Sequence, residues 1–381
     1  MNFELVRDPR PVTFRSFWSK KHGDLFPAPR PRVSPEKSFL DIFMADTPKN
    51  RQVFDLYNKF TSDPYLYVGY YEIPHSSVIL NWGLVIAADK CFNLLPGFGW
   101  HQEHFPYLIQ KKRLAHYTTE RVTLNESSIL STINIDSAVL LSFPGALTYG
   151  HWISDIIARL EIIDSMIGLK KIPCFLLAGP YSPWMDRFLS AFGVDRDRCV
   201  FIGNDRRIEV DRLLVPTTAS QAPGGVLVEP VVAQAVDRLA SLFNAWKRPV
   251  SSRAPMCFVE HTPLTSPPER LLSNRDELKN SILSIGGLVA NPLQDSAFDF
   301  VSKIASTKCV IGQDSSALHN IAFAPQDLFV IETEPRANMI HVSLQNISDK
   351  RISYVNADKT TNGWCVDLSA ITSQLEHLLD K

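Results

Sequence analysis

Ser137-Ala-Val-Leu-Leu-Ser-Phe143, a glycine-bearing turn, a helical pattern over 151–167, and then Pro173-Cys-Phe-Leu-Leu-Ala-Gly179 together decide the fold. Both apolar segments are almost unbroken rather than alternating, as in strands covered by helices on two faces, and an amphipathic stretch separates them. Outward from this run the alternation continues. A helix is predicted over 183–192, strands at 199–203 and 212–216, and a long helix over 229–246. The polar segment 247–255 carries two prolines and reads as a linker. Beyond it, strands at 256–259, 288–290, 309–312, 328–332 and 352–355 alternate with helices over 275–285, 296–306, 315–322 and 368–379. The chain is therefore α/β, and the expected architecture is two Rossmann-like, doubly wound domains, 1–246 and 247–381, facing across a cleft. Residues 52–135 carry short apolar runs broken by turn residues and read as strands and hairpins. Residues 1–37, rich in Arg, Lys and Pro, read as an irregular arm strapped over the first domain. Phe14, Phe17 and Trp18 among its charges also suit peripheral contact with the inner face of a membrane.

The 381 residues are 45% hydrophobic and 21% charged, with a formal net charge of -1. A near-neutral chain has no overall field to attract nucleic acid, and no nucleic-acid partner is expected. The six cysteines include no CxxC and no zinc spacing with paired histidines. Most stand at the edges of apolar runs, as buried free thiols do in a reducing compartment, which points to the cytoplasm. The N-terminus lacks the apolar core of a secretory signal. No GxGxxG follows a strand, and no GxxxxGK[ST] or GxSxG occurs, which disfavours NAD-dependent, P-loop and serine-hydrolase chemistry.

Two constellations carry chemistry. In Gly145-Ala-Leu-Thr-Tyr-Gly-His151-Trp152-Ile-Ser-Asp155-Ile-Ile-Ala-Arg159, the His, Asp and Arg share one helix face at i, i+4, i+8 beyond a strand end. His151 or Asp155 suits a general base there, with Arg159 in support. The plainer alternative is a solvated face with an Asp155–Arg159 ion pair. In the second, Gly312-Gln-Asp314-Ser315-Ser316-Ala-Leu-His319-Asn320, a strand ends and a helix is expected to begin near Ser315, with Asp314 as a candidate N-cap. Backbone N–H groups and hydroxyls at such a start suit a diphosphate, and Glu332 at the next strand end suits ribose hydroxyls. Phe98–His104 is aromatic and polar, which fits sugar stacking as well as core packing. Asp195-Arg-Asp197 reads as a solvated turn rather than a metal site.

The string His151-Trp152-x-x-Asp155-x-x-x-Arg159-Leu160 resembles the "HW…D…RL" signature of glycosyltransferase family 61. Val310-Ile-Gly312…Ala317-Leu318-x-Asn320…Val330-Ile-Glu332 is similar to that family's "vvGpHGAgLtN…vvEl" block, and Arg270-Leu-Leu-Ser-Asn274…Glu277-Leu to its "R…N…EL" segment. The resemblance implies a GT-B fold and an inverting, metal-independent transfer, typically from a UDP-sugar, often to a bacterial surface glycan. It puts His151 and Asp155 in the acceptor half, and Gly312, Asp314, Ser315, Ser316, His319, Asn320 and Glu332 in the donor half, with Arg159 and Arg270 supporting. No cofactor is implied beyond the nucleotide-sugar co-substrate. Two positions depart from the pattern: Asp314-Ser315-Ser316-Ala317 replaces "HGAG", and Phe258-Val259-Glu260-His261 replaces a strand-end "yisR". They motivate a second reading, a non-catalytic glycan- or nucleotide-sugar-binding protein, and a third is a nucleotide-sugar epimerase.

Overall fold

The computed structural model describes residues 2–6, 13–16, 28–29, 47–61, 65–66, 68–88, 90–92, 106, 109–118, 121–125, 127, 129–218, 229–243, 253–261, 271–324, 327–333, 339–347, 350–361 and 363–379. The chain forms two compact units, residues 1–30 with 64–223 and residues 31–63 with 224–381. The second unit takes in helix Glu229–Phe243 and the segment 31–63, which the linker reading had placed before residue 247.

The first unit is built on an 11-stranded mixed sheet. Its deciding part is four parallel strands in the spatial order Cys199–Ile202, Phe175–Ala178, Ser131–Leu140, Arg206–Pro216. In chain order this is third, second, first, fourth, one half of a doubly wound sheet. The remaining strands are mostly antiparallel: Gly69–Ile79 pairs with Arg206–Pro216, and Leu84–Ala87 and Lys90–Phe92 follow. The expectation of a doubly wound first domain thus holds for its later half only. The hairpin connections of 69–92 are too short for helical crossovers, so that region is antiparallel. Tyr71, Ile73, Leu140, Leu176, Leu213 and Val215 bury one face. Two pieces of the arm that was expected to be irregular are strands: Asn2–Val6 pairs with Lys90–Phe92 and Arg121–Leu124, and Thr13–Ser16 pairs with Gly69–Ile79. Phe3, Leu5 and Phe14 alternate with polar residues there, a short period that the surrounding Arg and Pro conceal.

The second unit holds a fully parallel five-stranded sheet in the order Leu288–Ala290, Ala254–Val259, Thr307–Gly312, Phe329–Thr333, Arg351–Val355. This second-first-third-fourth-fifth order is a doubly wound one. Its switch point lies at the carboxyl ends of Ala254–Val259 and Thr307–Gly312, where such sheets bind ligands. Helices Pro48–Thr61 and Met339–Ile347 and the hairpin Ala357–Thr360/Gly363–Val366 were not anticipated. The helix expected over 315–322 is a 3-10 segment, Leu318–Phe323. The His319 ring takes the Ser315 carbonyl at 3.2 Å and the Asn320 amide takes that of Ala317 at 2.8 Å. Those carbonyls are the ones an α-helix would bond to the N–H groups of residues 319 and 321. No helix among the described residues is long and apolar enough to cross a membrane.

Candidate functional site

In the first unit, strand Ser131–Leu140 runs out into Phe143-Pro-Gly145-Ala-Leu-Thr148, a pair of tight turns closed by Ala146 N–H to Phe143 O and Thr148 N–H to Gly145 O. Gly145 has φ +98, and a Cβ there would lie 2.8 Å from Cδ2 and 2.9 Å from Nε2 of His151. Only glycine lets the imidazole sit against this turn. The helix then starts at Tyr149 and passes through a π turn, Trp152–Ile156, before continuing as Ile157–Met166. Single π turns recur at functional sites because they re-aim side chains within a helix. The indole of Trp152 donates to Ala146 O at 2.8 Å, tying helix to turn, and packs on Trp184 and Phe188.

His151 Nδ1 lies 3.1 Å from Asp155 Oδ2, which also accepts from Ser154 Oγ at 2.7 Å. Asp155 is wholly buried, whereas the His151 side chain is 23% exposed. Arg159 is buried as well: its guanidinium donates to Leu141 O at 3.1 Å and lies 4.6 Å from the Phe143 ring centroid. Burial lowers its pKa to about 10, with the negative charge of Asp155 working against that shift. The face is therefore interior, not solvated, and the hydrogen-bonded pair is His151–Asp155 rather than Asp155–Arg159. A buried carboxylate on Nδ1 fixes the tautomer and makes Nε2 the basic nitrogen.

In the second unit, Gly312 and Glu332 are register partners, as are Glu332 and Tyr354. Glu332 Oε2 lies 2.8 Å from His341 Nδ1, and His341 Nε2 lies 3.1 Å from His319 Nδ1. Glu332 and His341 are wholly buried, Asp314, His319 and Asn320 nearly so, and Ser315 and Ser316 half-buried. Asp314 does not cap the 3-10 segment, whose N-cap is Ala317. Asp314, Glu332 and His341 bring ligand atoms within 4.8 Å of one another, a group that could hold a metal ion. His341, however, already directs one ring nitrogen at Glu332 and the other at His319. The buried Tyr354 hydroxyl is pushed well above its usual value by burial first, then by the charges of Glu332 and Asp314. Ser315 Oγ is buried and has no partner among the described residues. At the neighbouring strand end, Glu260 accepts from Asn291 Nδ2 at 2.7 Å and from Lys279 Nζ at 3.4 Å, with Arg275 Nε at 3.9 Å.

Sequence reasoning brought His151 to Asp155, and Glu332 to His319 and Asp314, but missed His341 and Tyr354. The signal for His341 was a lone histidine between Ile340 and Val342, two apolar neighbours beyond the fourth strand. Arg270 and Phe98–His104 lie outside the described residues. Asp195 and Asp197 are exposed on a 3-10 turn, as read. The cysteines are free and mostly buried, and burial pushes Cys91 and Cys257 up to about 12.

The parallel strands and covering helices define an α/β protein, with the His151–Asp155 pair just beyond a strand end. Residues 149–331, just under half of the chain, match the family model described as Glycosyltransferase 61, which supports glycosyltransferase family 61. The matched stretch starts at the helix of His151 and ends one residue before Glu332. No curated protein matches the chain.

Proposed function

We propose that this chain is an inverting, metal-independent glycosyltransferase, a hexosyl- or pentosyltransferase. It would move a sugar from a nucleotide-sugar, a UDP-sugar in the first instance, to a glycan or surface-polysaccharide acceptor. A cytoplasmic address, peripheral contact with the inner membrane face and the GT-B organisation implied by the family belong to the same proposal. The observation that carries it is the His151–Asp155 pair, in which a wholly buried carboxylate backs a ring that reaches the surface. Nε2 of His151 takes the proton of an acceptor hydroxyl as its oxygen bonds to the anomeric carbon. The bond from that carbon to the diphosphate oxygen breaks, and its electron pair leaves with the nucleotide diphosphate. Asp155 orients the ring and stabilises the imidazolium. In the second unit, the backbone around Gly312–Ser316 and the hydroxyls of Ser315 and Ser316 hold the diphosphate at the switch point. Glu332, His319, Asp314 and Asn320 fix the shape of that pocket from behind.

The test is release of UDP from UDP-glucose, UDP-N-acetylglucosamine and UDP-xylose with oligosaccharide acceptors, in wild type, His151→Ala and Asp155→Asn. Loss of turnover by orders of magnitude in both variants supports the reading, and near-normal turnover in both sinks it. Glu260, a carboxylate where the family carries a strand-end arginine, favours the non-catalytic alternative. Nucleotide-induced thermal stabilisation with no turnover on any acceptor would decide for that one.

A further inference from the structure

The wholly buried Asp155 poses an electrostatic problem, because an isolated carboxylate inside a protein takes up a proton unless something compensates its charge. Three acidic or basic side chains are buried among the described residues of the first unit: Asp155, Glu161 and Arg159. Glu161 accepts from Ser165 Oγ at 3.0 Å on its own helix. Arg159 is the one cation of the three, and a guanidinium keeps its charge at neutral pH even with its pKa lowered to about 10. It stands one turn beyond Asp155.

Other charges around this helix are paired or lie at the surface. It packs on strands Gly69–Ile79 and Arg206–Pro216. On those strands Glu72 pairs with Arg212, Arg207 with Glu209, and His75 with Asp211 at the surface. Asp136 is exposed on Ser131–Leu140, and Lys170 and Lys171 are exposed past the helix end. Asp164 accepts from Leu169 N–H, and Asp186 from Tyr181.

Arg159 also touches the dyad mechanically. Its guanidinium holds Leu141 O at 3.1 Å and Ser142 O at 3.4 Å, the carbonyls just past the strand, and covers Phe143. The edge-on contact of Phe143 with the His151 ring, 5.6 Å between centroids, links Arg159 through Phe143 to His151 and so to Asp155.

We infer that Arg159 is a positioning residue that sets the basicity of the His151–Asp155 dyad. Its fixed positive charge keeps the pair in the proton-accepting state, while its clamp on the strand end holds Phe143 against the ring. The sign is the same whichever of the two carries the proton. Binding one proton turns the anionic dyad neutral, and a nearby cation opposes that step. Removing the cation therefore raises the pH at which the dyad gives the proton up.

This inference rests on His151 being the base, and its test is separable from that reading. The His151 ring is titrated by NMR of carbon-13-labelled histidine, its signal assigned by disappearance in His151→Asn, in wild type, Arg159→Gln and Arg159→Lys. Glutamine keeps a donor for Leu141 O and drops the charge; lysine keeps the charge. We expect the midpoint to rise by about one pH unit or more in Arg159→Gln, and to stay within about half a unit in Arg159→Lys. A folded Arg159→Gln protein with an unmoved or lowered midpoint overturns the inference, as does a lysine variant shifted by a unit or more. The lysine arm stands alone if the glutamine variant does not fold. Turnover retained in His151→Ala would remove the base assignment without touching the titration, so the two failures are told apart.

Discussion

Each unit carries, on a helix that follows a parallel strand, a histidine bonded through Nδ1 to a buried carboxylate, yet the two pairs are set differently. His151 reaches the surface with its carboxylate behind it and a buried arginine one turn further on. His341 is wholly buried, and its second nitrogen meets another buried histidine rather than an open position. The first arrangement suits proton transfer, since one ring nitrogen is fixed by a buried carboxylate and the ring is partly exposed. The second is a buried chain from Glu332 through His341 to His319, with Tyr354 beside Glu332, an arrangement that suits fixing shape. The lesson is that a His–carboxylate pair acquires a role from exposure and from what stands behind it.

The comparison breaks most visibly at His151. His151→Ala should lower kcat/KM by about 10²–10⁴-fold, the range for loss of a general base, with the melting temperature nearly unchanged. His341→Ala should do the reverse in kind. It takes a partner from wholly buried Glu332, which costs about 3 kcal/mol of stability, and it should weaken the thermal stabilisation given by UDP. A calorimetric scan with and without UDP measures both effects. A His341→Ala protein as stable as wild type would mean that the second pair is not structural.

The part of the fold that rests on parallel strands was legible because continuous apolar runs such as Ala138-Val-Leu-Leu141 have few other uses. Ser131–Leu140 and Thr307–Gly312 are both of this kind at their carboxyl ends, where crossover helices cover the sheet. The i, i+4 spacing put His151 and Asp155 on one face, but spacing cannot tell a solvated face from an interior one. The flanking Trp152, Ile153 and Ile156, all buried, settle it only in three dimensions. The π turn was hidden for a similar reason, since nothing in Trp152-Ile-Ser-Asp-Ile marks the extra residue. His341 escaped because its partners, Glu332 and His319, are brought to it by the sheet and not by sequence proximity. The 3-10 segment after Gly312 came from side chains, His319 and Asn320, that compete for backbone carbonyls. Strands Asn2–Val6 and Thr13–Ser16 were masked by charged and proline neighbours whose composition outweighs so short an alternation.

A smaller effect sharpens the first pair. Gly145→Ala should cost about 1–3 kcal/mol, because φ +98 is strained for any residue with a Cβ. The new methyl would also meet the His151 ring, so kcat/KM should fall by about tenfold through a displaced base. Turnover unchanged in a folded Gly145→Ala protein would mean that the ring tolerates another position. In the second pair, Tyr354 has a folded pKa well above its usual value of 10.0. The unfolded chain then releases that proton first, so the stability tied to it is present below about pH 10 and is lost as pH rises through the folded value. Tyr354→Phe should flatten the decline of melting temperature above about pH 10, and an unaltered slope would exclude Tyr354 as its source.

The smallest expected effect is none at all, and it bears on the closed pair. Asp314, Glu332 and His341 lie close enough to chelate an ion, and two carboxylates with an imidazole are donors that several divalent metals accept. Binding one there would require His341 to give up a contact, because its nitrogens already meet Glu332 at 2.8 Å and His319 at 3.1 Å. Glu332 would in turn lose a hydrogen bond that helps compensate its burial. Turnover and melting temperature should therefore be unchanged in excess chelator, and added zinc or manganese should not stabilise the protein. A drop in either quantity with chelator, restored by one metal and absent in His341→Ala, would turn the closed pair into a metal centre and end the contrast between the two units.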